Sequence, residues 1–207
     1  MDVFFVRHGE TDGNVAKRHQ HQDTELNEIG RVQAEMIADR LMSFEPTHII
    51  TSTNLRAVET TRIISKKCIG IIPDTNIAFE ELKRPDWLTG NRFFGITTIL
   101  YIIKWFFSYK VEGGETYDEF VKRVIEARTY LESLPKNSRV IVVSHSVFIN
   151  FFLEYLHSDR KINLWRACLR LLAILTMKNV EIIHLEYTHQ KKWGITNVVN
   201  KRWFLNY

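Results

Sequence analysis

Residues 2–11 read DVFFVRHGET, an apolar run that passes directly into charged and polar side chains. The unbroken run from Val3 to Val6 indicates a strand buried on both faces, because a half-buried strand would alternate apolar and polar residues. The run from Val140 to Val143 has the same character and is followed by Ser144 and His145. We therefore expect a β-strand at each place, and each strand leads into a segment that contains a histidine.

Segments with helical periodicity separate the predicted strands. Thr116 and Glu119, for example, form a T-x-x-E capping box at the start of one such segment. Together with a third predicted strand at 48–51, this alternation predicts an α/β fold with a mostly parallel central sheet and helices on both faces. The predicted helices cover residues 28–42 behind an Asn27 cap, 54–65 behind a Thr53 cap, 116–132 and 147–156.

The C-terminal part of the chain has a different pattern. Two further strands, at 169–176 and 180–187, are predicted to form a hairpin around Lys178 and Asn179 and to supply strands at the edge of the sheet. A length of 207 residues fits one domain, 1–207, that is large enough to bury a sizeable core.

Composition and charge exclude several classes of protein. With 45% hydrophobic and 25% charged residues, the chain has the make-up of a globular domain. The net charge of +4 comes from scattered basic residues, so nucleic-acid binding is not expected. No apolar stretch reaches the roughly 20 residues of a membrane span, so no membrane insertion is expected. Two distant cysteines, Cys68 and Cys168, favour a reducing, cytoplasmic setting.

Cations and histidines follow the ends of the predicted strands, where α/β sheets bind their ligands. Arg7 and His8 follow the first strand, Arg56 lies one turn into the helix after the second, and His145 follows the third. Guanidinium groups match phosphate oxygens well, and arginines would repel a metal cation. The set therefore points to a phosphate-like anion and to no metal.

The position of Arg56 gives a second reason to predict an anion-binding site. A cation in the first turn of a helix opposes the helix dipole, and a phosphate bound between the helix and the arginine would remove this misfit. From the sequence alone, a solvated Arg56 or one paired with Glu59 is equally compatible with the pattern.

His8 has two interpretations, a nucleophile or a hydrogen-bonded structural residue, and for an isolated histidine the structural one is the more common. Its neighbours favour the nucleophile, because Gly9 allows a close backbone approach and a second histidine follows an equivalent strand. A neutral imidazole can attack phosphorus when its other nitrogen holds its proton on a nearby carbonyl. Phosphoryl transfer would then proceed through a phosphohistidine.

The segment Arg7-His8-Gly9-Glu10-Thr11, with Asn14, resembles the signature of the histidine phosphatase superfamily, the phosphoglycerate-mutase-like proteins. Later segments resemble the family's successive blocks in the family's order, over about residues 2–157. These blocks are LNEIGRVQA at 26–34, TSTNLRA at 51–57 with Thr60, GET at 114–116 and VVSH at 142–145. Ordered blocks at strand ends and helix starts make the resemblance specific.

The resemblance implies a role for each of the residues at the strand ends, without a metal or a cofactor. His8 would be the nucleophile that accepts the phosphoryl group. Arg7, Arg56 and His145 would form the pocket that neutralises the phosphoryl oxygens in the transition state. Asn14 matches a polar position that borders the phosphate in this family.

The proton donor for the leaving group is expected in the segment FEELKRP at 79–85, which resembles the family pattern L-x-E-x-x-x-G. Alignment on the apolar residue selects Glu81, with Glu80 as the alternative. The alternative without a catalytic role is that Glu80 and Glu81 form an acidic pair that faces solvent. The chain departs from the family at 85–90, where PDWLTG replaces a Trp-Glu-Gly-like run, and at Ser146, where glycine is usual. These departures bear on loop geometry and on the substrate.

The insertion at about 83–113 contains Gly95 to Tyr109, a stretch rich in Ile, Trp, Phe and Tyr. Members of the family place variable insertions here, over the catalytic pocket, so we expect a small helical cap that controls substrate access. A packed core helix or the contact face of a homodimer remains an alternative.

These observations predict a phosphomonoester hydrolase, a histidine-type phosphatase, that acts through a covalent phosphohistidine. Its partner would be a phosphorylated substrate, either a small molecule or a phosphoprotein. One alternative is a phosphoglycerate mutase, which uses the same histidine but returns the phosphoryl group to the substrate. Another is a non-catalytic module that binds phosphate or a phosphoprotein.

Overall fold

The computed structural model describes residues 1–156, 162, 164–188 and 190–199. Its centre is a mixed sheet that is mostly parallel, so the predicted α/β architecture is confirmed. The strands are β1 (Asp2–Arg7), β2 (His48–Thr51), β3 (Asp74–Thr75), β4 (Arg139–Ser144), β5 (Ile182–Tyr187) and β6 (Trp193–Val199), in the spatial order β3-β2-β4-β1-β5-β6.

The central pair of strands, β1 and β4, positions the site. They run parallel and in register, with Val6 opposite Val143 and Arg7 opposite Ser144. Strands β4 and β2, and β2 and β3, are also parallel, whereas β5 runs antiparallel to β1 and to β6. Because β1 and β4 end at the same level, the residues that follow them emerge side by side.

Helices cover both faces of this sheet. Side chains alternate along β1, so Phe5 packs on one side with Phe148, and Phe4 packs on the other side with Leu41. The helices are α1 (Asp12–Val15), α2 (Glu28–Met42), α3 (Leu55–Ser65), α4 (Ile96–Phe106), α5 (Tyr117–Ser133), α6 (Ser146–Glu154) and α7 (Leu164–Thr176). Helices α2 and α3 cover the Phe4 side, whereas α4, α5 and α6 cover the Phe5 side.

The predicted strand at 169–176 is wrong, because these residues belong to helix α7. Leu makes up half of the segment, and its helix propensity exceeds that of the β-branched residues typical of strands. The hairpin instead joins β5 to β6, which the sequence pattern did not predict. The strand expected from residue 180 begins at Ile182, since Val180 lies in a turn with φ 51°.

Two predicted helix starts also shift by one residue. The N-cap of α3 is Asn54 and not Thr53, and α6 begins at Ser146 behind His145. The other caps form as expected: Asn27 accepts from the backbone amide of Gly30, and Thr116 and Glu119 complete a capping box. These caps fix the points where the loops of the site enter α2 and α5.

Residues 157–161, 163, 189 and 200–207 of the predicted domain 1–207 lie outside the described part, as does the side chain of Cys168. Cys68 is buried as a free thiol. Among the described residues, no helix combines the length and the apolar character that crossing a membrane requires.

Candidate active site

The two histidines predicted from the strand ends lie next to each other. The centroids of the His8 and His145 rings are 5.1 Å apart, and the His8 amide donates to the carbonyl of Ser144 at 3.0 Å. Only 3% of His8 and none of His145 is exposed to solvent. The ladder between β1 and β4 therefore continues past the strands and places both imidazoles at one edge of the sheet.

Hydrogen bonds orient the ring of His8. Its Nδ1 lies 2.7 Å from the carbonyl oxygen of Gly9, which requires the proton on Nδ1 and leaves a lone pair on Nε2. The Gly9 amide donates to the hydroxyl of Thr60, and the side-chain amide of Asn179 donates to the His8 carbonyl. The backbone around the histidine is thus held from α3 on one side and from the turn before β5 on the other.

Gly9 and Gly30 are needed because two backbone segments touch here. A Cβ on Gly9 would lie 2.4 Å from the Gly30 oxygen, and a Cβ on Gly30 would lie 2.1 Å from the Glu10 oxygen. Neither position has room for a side chain. The loop that carries His8 therefore rests directly on the first turn of α2.

The two predicted arginines also reach this edge of the sheet. One amino group of Arg7 donates to the Met177 carbonyl, and one of Arg56 donates to the His21 carbonyl at 3.0 Å. The Nε atom of each is buried without a hydrogen-bond partner among the described residues. Arg56 is 4% exposed, so the solvated alternative for it does not hold. Arg56 does not pair with Glu59 either: among the described residues, Glu59 forms its ion pair with Arg31.

Burial and the neighbouring cations keep the imidazoles neutral. Burial lowers the pKa of His8 well below 6.5, and the charges of Arg56 and Arg7 lower it further. The pKa of His145 is lowered in the same way, first by burial and then by Arg56. Burial also lowers the pKa of Arg56 to about 10, so this side chain stays charged at neutral pH. Neutral imidazoles beside buried cations form a site that favours an anion.

Within the described part of the chain, the imidazole of His145 makes one hydrogen bond, between its Nε2 and the hydroxyl of Ser52 at 2.8 Å. Its Nδ1 is buried and has no partner among the described residues. Ser52 follows β2, so a third strand end contributes to this edge of the sheet. Buried nitrogens of His145, Arg7 and Arg56 thus have no hydrogen-bond partner among the described residues, as expected of groups that bind a ligand.

In the structure, the carboxylates of Glu81 and Glu80 have different environments and different hydrogen-bond partners. Glu81 is 8% exposed, and its carboxylate accepts from the backbone amides of Leu82 and Phe148 at 3.0 and 3.2 Å. Its negative charge acts on both Arg7 and Arg56, where it raises the pKa against the effect of burial. The Glu80 carboxylate instead accepts from the hydroxyl of Thr53. Glu81 is therefore the carboxylate that lies beside the basic groups.

A partly buried arginine from α5, Arg123, holds the loop that carries Glu81. The guanidinium of Arg123 donates to the carbonyls of Glu80 and Glu81 at 2.8 and 3.1 Å and binds the Glu115 carboxylate. Glu115 also accepts from the amide of Lys83 at 2.7 Å. The pairing of Glu115 with Arg123 anchors the loop to α5.

Asn14 contributes its oxygen to the structure of the catalytic loop. This Oδ1 accepts from the Thr11 amide at 3.3 Å and from the side chain of Asn179 at 3.1 Å. The side-chain nitrogen of Asn14, Nδ2, makes no hydrogen bond within the described part of the chain, and the side chain is half-buried. Asn179 therefore connects Asn14 to the backbone of His8.

Helix α4, in the predicted insertion at 83–113, has one buried face and one exposed face. Tyr101 and Trp105 pack into the core, whereas Ile99 and Ile103 are about half exposed. His19, from the loop after α1, binds Thr98 of α4 through Nε2 at 3.0 Å. Part of the predicted cap is therefore a packed helix, and it is tied to the loop that follows the His8 signature.

Several residues of the site were not assigned by sequence reasoning. Asn179 lies in the predicted turn, and nothing in the local pattern connects it to His8. Arg123 is a charged residue on a helix face that is otherwise apolar, and this irregularity is the signal that could have found it. Ser52 and Thr60 were part of the family blocks but carried no role.

Comparison with known proteins gives the family. Residues 3–200 match the model of the Histidine phosphatase superfamily (branch 1). A probable phosphoglycerate mutase GpmB of Photorhabdus laumondii is 31% identical over 192 residues, which are 81% of this chain and 82% of that protein. Phosphoglycerate mutase-like protein 4 of Arabidopsis thaliana is 32% identical over 162 residues, 74% of this chain and 70% of that protein. The chain therefore belongs to the histidine phosphatase superfamily.

Solved structures of phosphatases share the fold. A putative alpha-ribazole-5'-P phosphatase from Escherichia coli superposes with a TM-score of 0.78 and 18% identity, covering 96% of each chain. A mycobacterial glucosyl-3-phosphoglycerate phosphatase superposes with a TM-score of 0.73 and 24% identity, and the match covers 95% of this chain and 97% of that one. A phosphoserine phosphatase from Entamoeba histolytica superposes with a TM-score of 0.76 and 17% identity, and the match covers 97% of this chain and 98% of that one.

Proposed function

We propose that this protein is a phosphomonoester hydrolase in which His8 is the nucleophile. The observation that carries the proposal is the orientation of the His8 ring: Nδ1 is tied to the Gly9 carbonyl, so Nε2 keeps its lone pair next to His145. The low pKa of His8 adds support, because a neutral imidazole is the form that attacks phosphorus.

In the first step, Nε2 of His8 forms a bond to phosphorus while the bond from phosphorus to the leaving oxygen breaks. Glu81, in its protonated form, gives its proton to that oxygen, and the alcohol departs. Arg7, Arg56 and His145 stabilise the charge that accumulates on the three other phosphoryl oxygens. The Ser52 hydroxyl lies 2.8 Å from Nε2 of His145 and 3.2 Å from Oδ1 of Asn54, which can only accept. Nδ1 of His145 carries a proton for one of the phosphoryl oxygens only when this hydroxyl donates to His145 rather than to Asn54.

In the second step, the Glu81 carboxylate takes a proton from water as the water oxygen attacks the phosphohistidine. The bond between phosphorus and nitrogen breaks, inorganic phosphate leaves, and His8 and Glu81 return to their starting forms. Both steps use the same carboxylate, which fits the single buried glutamate beside the basic groups among the described residues.

The experiment that tests this proposal compares phosphate release from phenyl phosphate by the wild-type protein and by the variant His8→Ala. We expect the variant to lose hydrolysis while circular dichroism shows that it remains folded. If His8→Ala keeps most of the activity, the mechanism through His8 is wrong.

Phosphoglycerate mutase activity is the second candidate, because curated relatives at 31 to 32% identity carry mutase names. A coupled assay with 3-phosphoglycerate and catalytic 2,3-bisphosphoglycerate separates the two reactions. Free phosphate as the main product supports the hydrolase, whereas rapid formation of 2-phosphoglycerate with little free phosphate supports the mutase. Binding of phosphate without either product would indicate a non-catalytic module.

A further inference from the structure

Helix α4 and its C-cap residue present a second apolar face, on the side that points away from the core. Its side chains are large and apolar, yet each is between 45 and 71% exposed: Ile96, Ile99, Leu100, Ile103 and Phe107. On a helix of 3.6 residues per turn, these positions lie within about 100° of arc. We call this set the α4 stripe. A contiguous apolar surface of this kind is typical of a binding surface.

The opposite face of α4 holds the α4 stripe outward. Tyr101 and Trp105 are buried on that face. The Trp105 ring packs against the rings of Tyr117 and Phe151, with centroids 5.0 and 5.6 Å apart. Because this packing fixes the rotation of the helix, the α4 stripe is a constant feature of the surface.

Aromatic side chains border the α4 stripe. Phe94 precedes α4 by two positions, Tyr109 follows the C-cap by two, and both are exposed. Trp87 is exposed as well and lines a groove of about 240 Å³ together with Leu100 and Lys104. Trp and Tyr combine an apolar ring with a polar group, so they favour the boundary between water and an apolar medium.

The region around the α4 stripe is positively charged. Residues 83–113 contain five Lys and Arg against two Asp and Glu, a net charge of +3 where the whole chain has +4. Lys104 lies on α4 itself, Arg92 lies before the helix and Lys110 after it, and all three are exposed. None of the three side chains forms a hydrogen bond or an ion pair with a residue that the structure describes. Such a surface attracts an anionic partner.

An anionic lipid bilayer fits these features better than a protein does. The α4 stripe is the outer side of a single helix, and a fluid bilayer adapts to such a convex surface without a matching groove. Helices with an apolar face and flanking Lys and Arg lie in the membrane interface, with the apolar face about 5 to 10 Å deep. From there, long cationic side chains can reach the headgroups.

A second copy of the chain fits the charge less well. A two-fold symmetric contact buries the same patch on both copies. Lys104 and Lys110 of each copy would then face a surface that is also positively charged, which is unfavourable.

We propose that the α4 stripe binds the surface of a bilayer that contains anionic lipids, with Arg92, Lys104 and Lys110 at the headgroups. Helix α4 lies along the membrane and does not cross it, because its 11 residues are too few for a span. The inference uses no proposed catalytic residue, so it does not depend on the proposed function.

Vesicle flotation tests the inference with wild-type protein. One set of vesicles is phosphatidylcholine with about 30% phosphatidylserine, and the other is pure phosphatidylcholine. We expect binding to the anionic vesicles to be at least about tenfold stronger, because basic residues near the surface attract anionic lipids. Raising the salt to about 0.5 M NaCl should remove most of this difference, since salt screens the attraction.

Three variants locate the binding surface. Ile103→Asp places a charge in the α4 stripe and is expected to weaken binding to the anionic vesicles at least about tenfold. Lys104→Gln should weaken it about fivefold. Leu172→Asp is the matched control, because Leu172 is a comparably exposed apolar residue of α7, and this variant should bind as wild type does. Urea denaturation checks that all three variants are folded.

Three results would overturn the inference: equal binding or no binding to the two kinds of vesicle, binding that survives Ile103→Asp, or a loss in Leu172→Asp as large as that in Ile103→Asp. Sedimentation that shows a dimer dissociated by Ile103→Asp, without vesicle binding, would assign the α4 stripe to a second copy. Failure of the proposed function gives a different result, because vesicle binding would persist while wild-type protein released no phosphate from phenyl phosphate.

Discussion

The carboxylate of Glu81 accepts a hydrogen bond from the backbone amide of Phe148 at 3.2 Å. Phe148 lies in the first turn of α6, whose N-cap is His145. One helix end therefore holds the proposed acid and the second histidine together.

Replacement of Glu81 by glutamine removes the proposed proton donor and keeps the side-chain size. We expect kcat for an alkyl phosphate to fall by about 10²- to 10⁴-fold, with a smaller loss for 4-nitrophenyl phosphate, whose leaving group needs little protonation. Glu80→Gln is the control, because Glu80 binds Thr53 and is expected to keep near-normal rates. A larger loss in Glu80→Gln than in Glu81→Gln would reverse the assignment.

Gly30→Ala tests the contact between the catalytic loop and α2. The added Cβ would lie 2.1 Å from the Glu10 oxygen, so the loop that carries His8 must move. We expect the free energy of unfolding to fall by about 1 to 3 kcal/mol and kcat to fall with it. Gly194→Ala is the control, since a Cβ there meets no atom within 4 Å. Equal urea midpoints for the two variants would show that the close approach is not needed.

Arg123→Met tests the anchor of the Glu81 loop. Arg123 and Glu115 are 15% and 12% exposed, and loss of one partner of a buried ion pair costs about 3 to 5 kcal/mol. Lys122→Met breaks the exposed pair with Glu126 on the same helix and should change stability by less than about 0.5 kcal/mol. Urea denaturation of both variants gives the comparison, and similar midpoints would contradict the role of Arg123.

The buried histidines predict a loss of stability in mild acid. Burial lowers the pKa of His8 and His145 well below 6.5, and that of His19 to about 3. The unfolded chain therefore binds more protons than the folded one as the pH falls below 6.5, and the free energy of unfolding decreases. Above pH 6.5, the stabilisation that comes from the lowered pKa values of these histidines is fully present.

The part of this pH dependence that comes from His19 can be measured separately. His19→Gln should reduce the slope of unfolding free energy against pH by about 1.4 kcal/mol per pH unit, measured between about pH 5 and 6. An unchanged slope would mean that His19 is protonated in the folded protein. Unfolding in urea at several pH values provides the measurement.

The sequence predicted the sheet and the groups at its edge because these depend on short local patterns. The apolar runs of β1 and β4 consist of Phe, Val and Ile, which favour strands, and the histidines that follow them lie together because these two strands pair in parallel and in register. The failure at 169–176 has a physical cause as well, since a short apolar run rich in Leu suits a helix as well as a strand.

Contacts between distant segments were not accessible from local patterns. Nothing in the order Glu80-Glu81 tells which carboxylate turns inward; the amide of Phe148 on one side and the hydroxyl of Thr53 on the other decide it. Asn179 is a comparable case, because its hydrogen bond to the His8 carbonyl depends on how the turn before β5 packs.

The most direct test of the central claim is to trap the phosphorylated protein. Wild-type protein is mixed with a phosphomonoester, quenched in denaturant at high pH within milliseconds, and digested for mass spectrometry. We predict an acid-labile phosphoryl group on His8, absent from His8→Ala and more abundant in Glu81→Gln with 4-nitrophenyl phosphate, where attack of water is slowed. Rapid phosphate release by wild-type protein with no phosphoryl group on His8 in any of these samples would contradict the account.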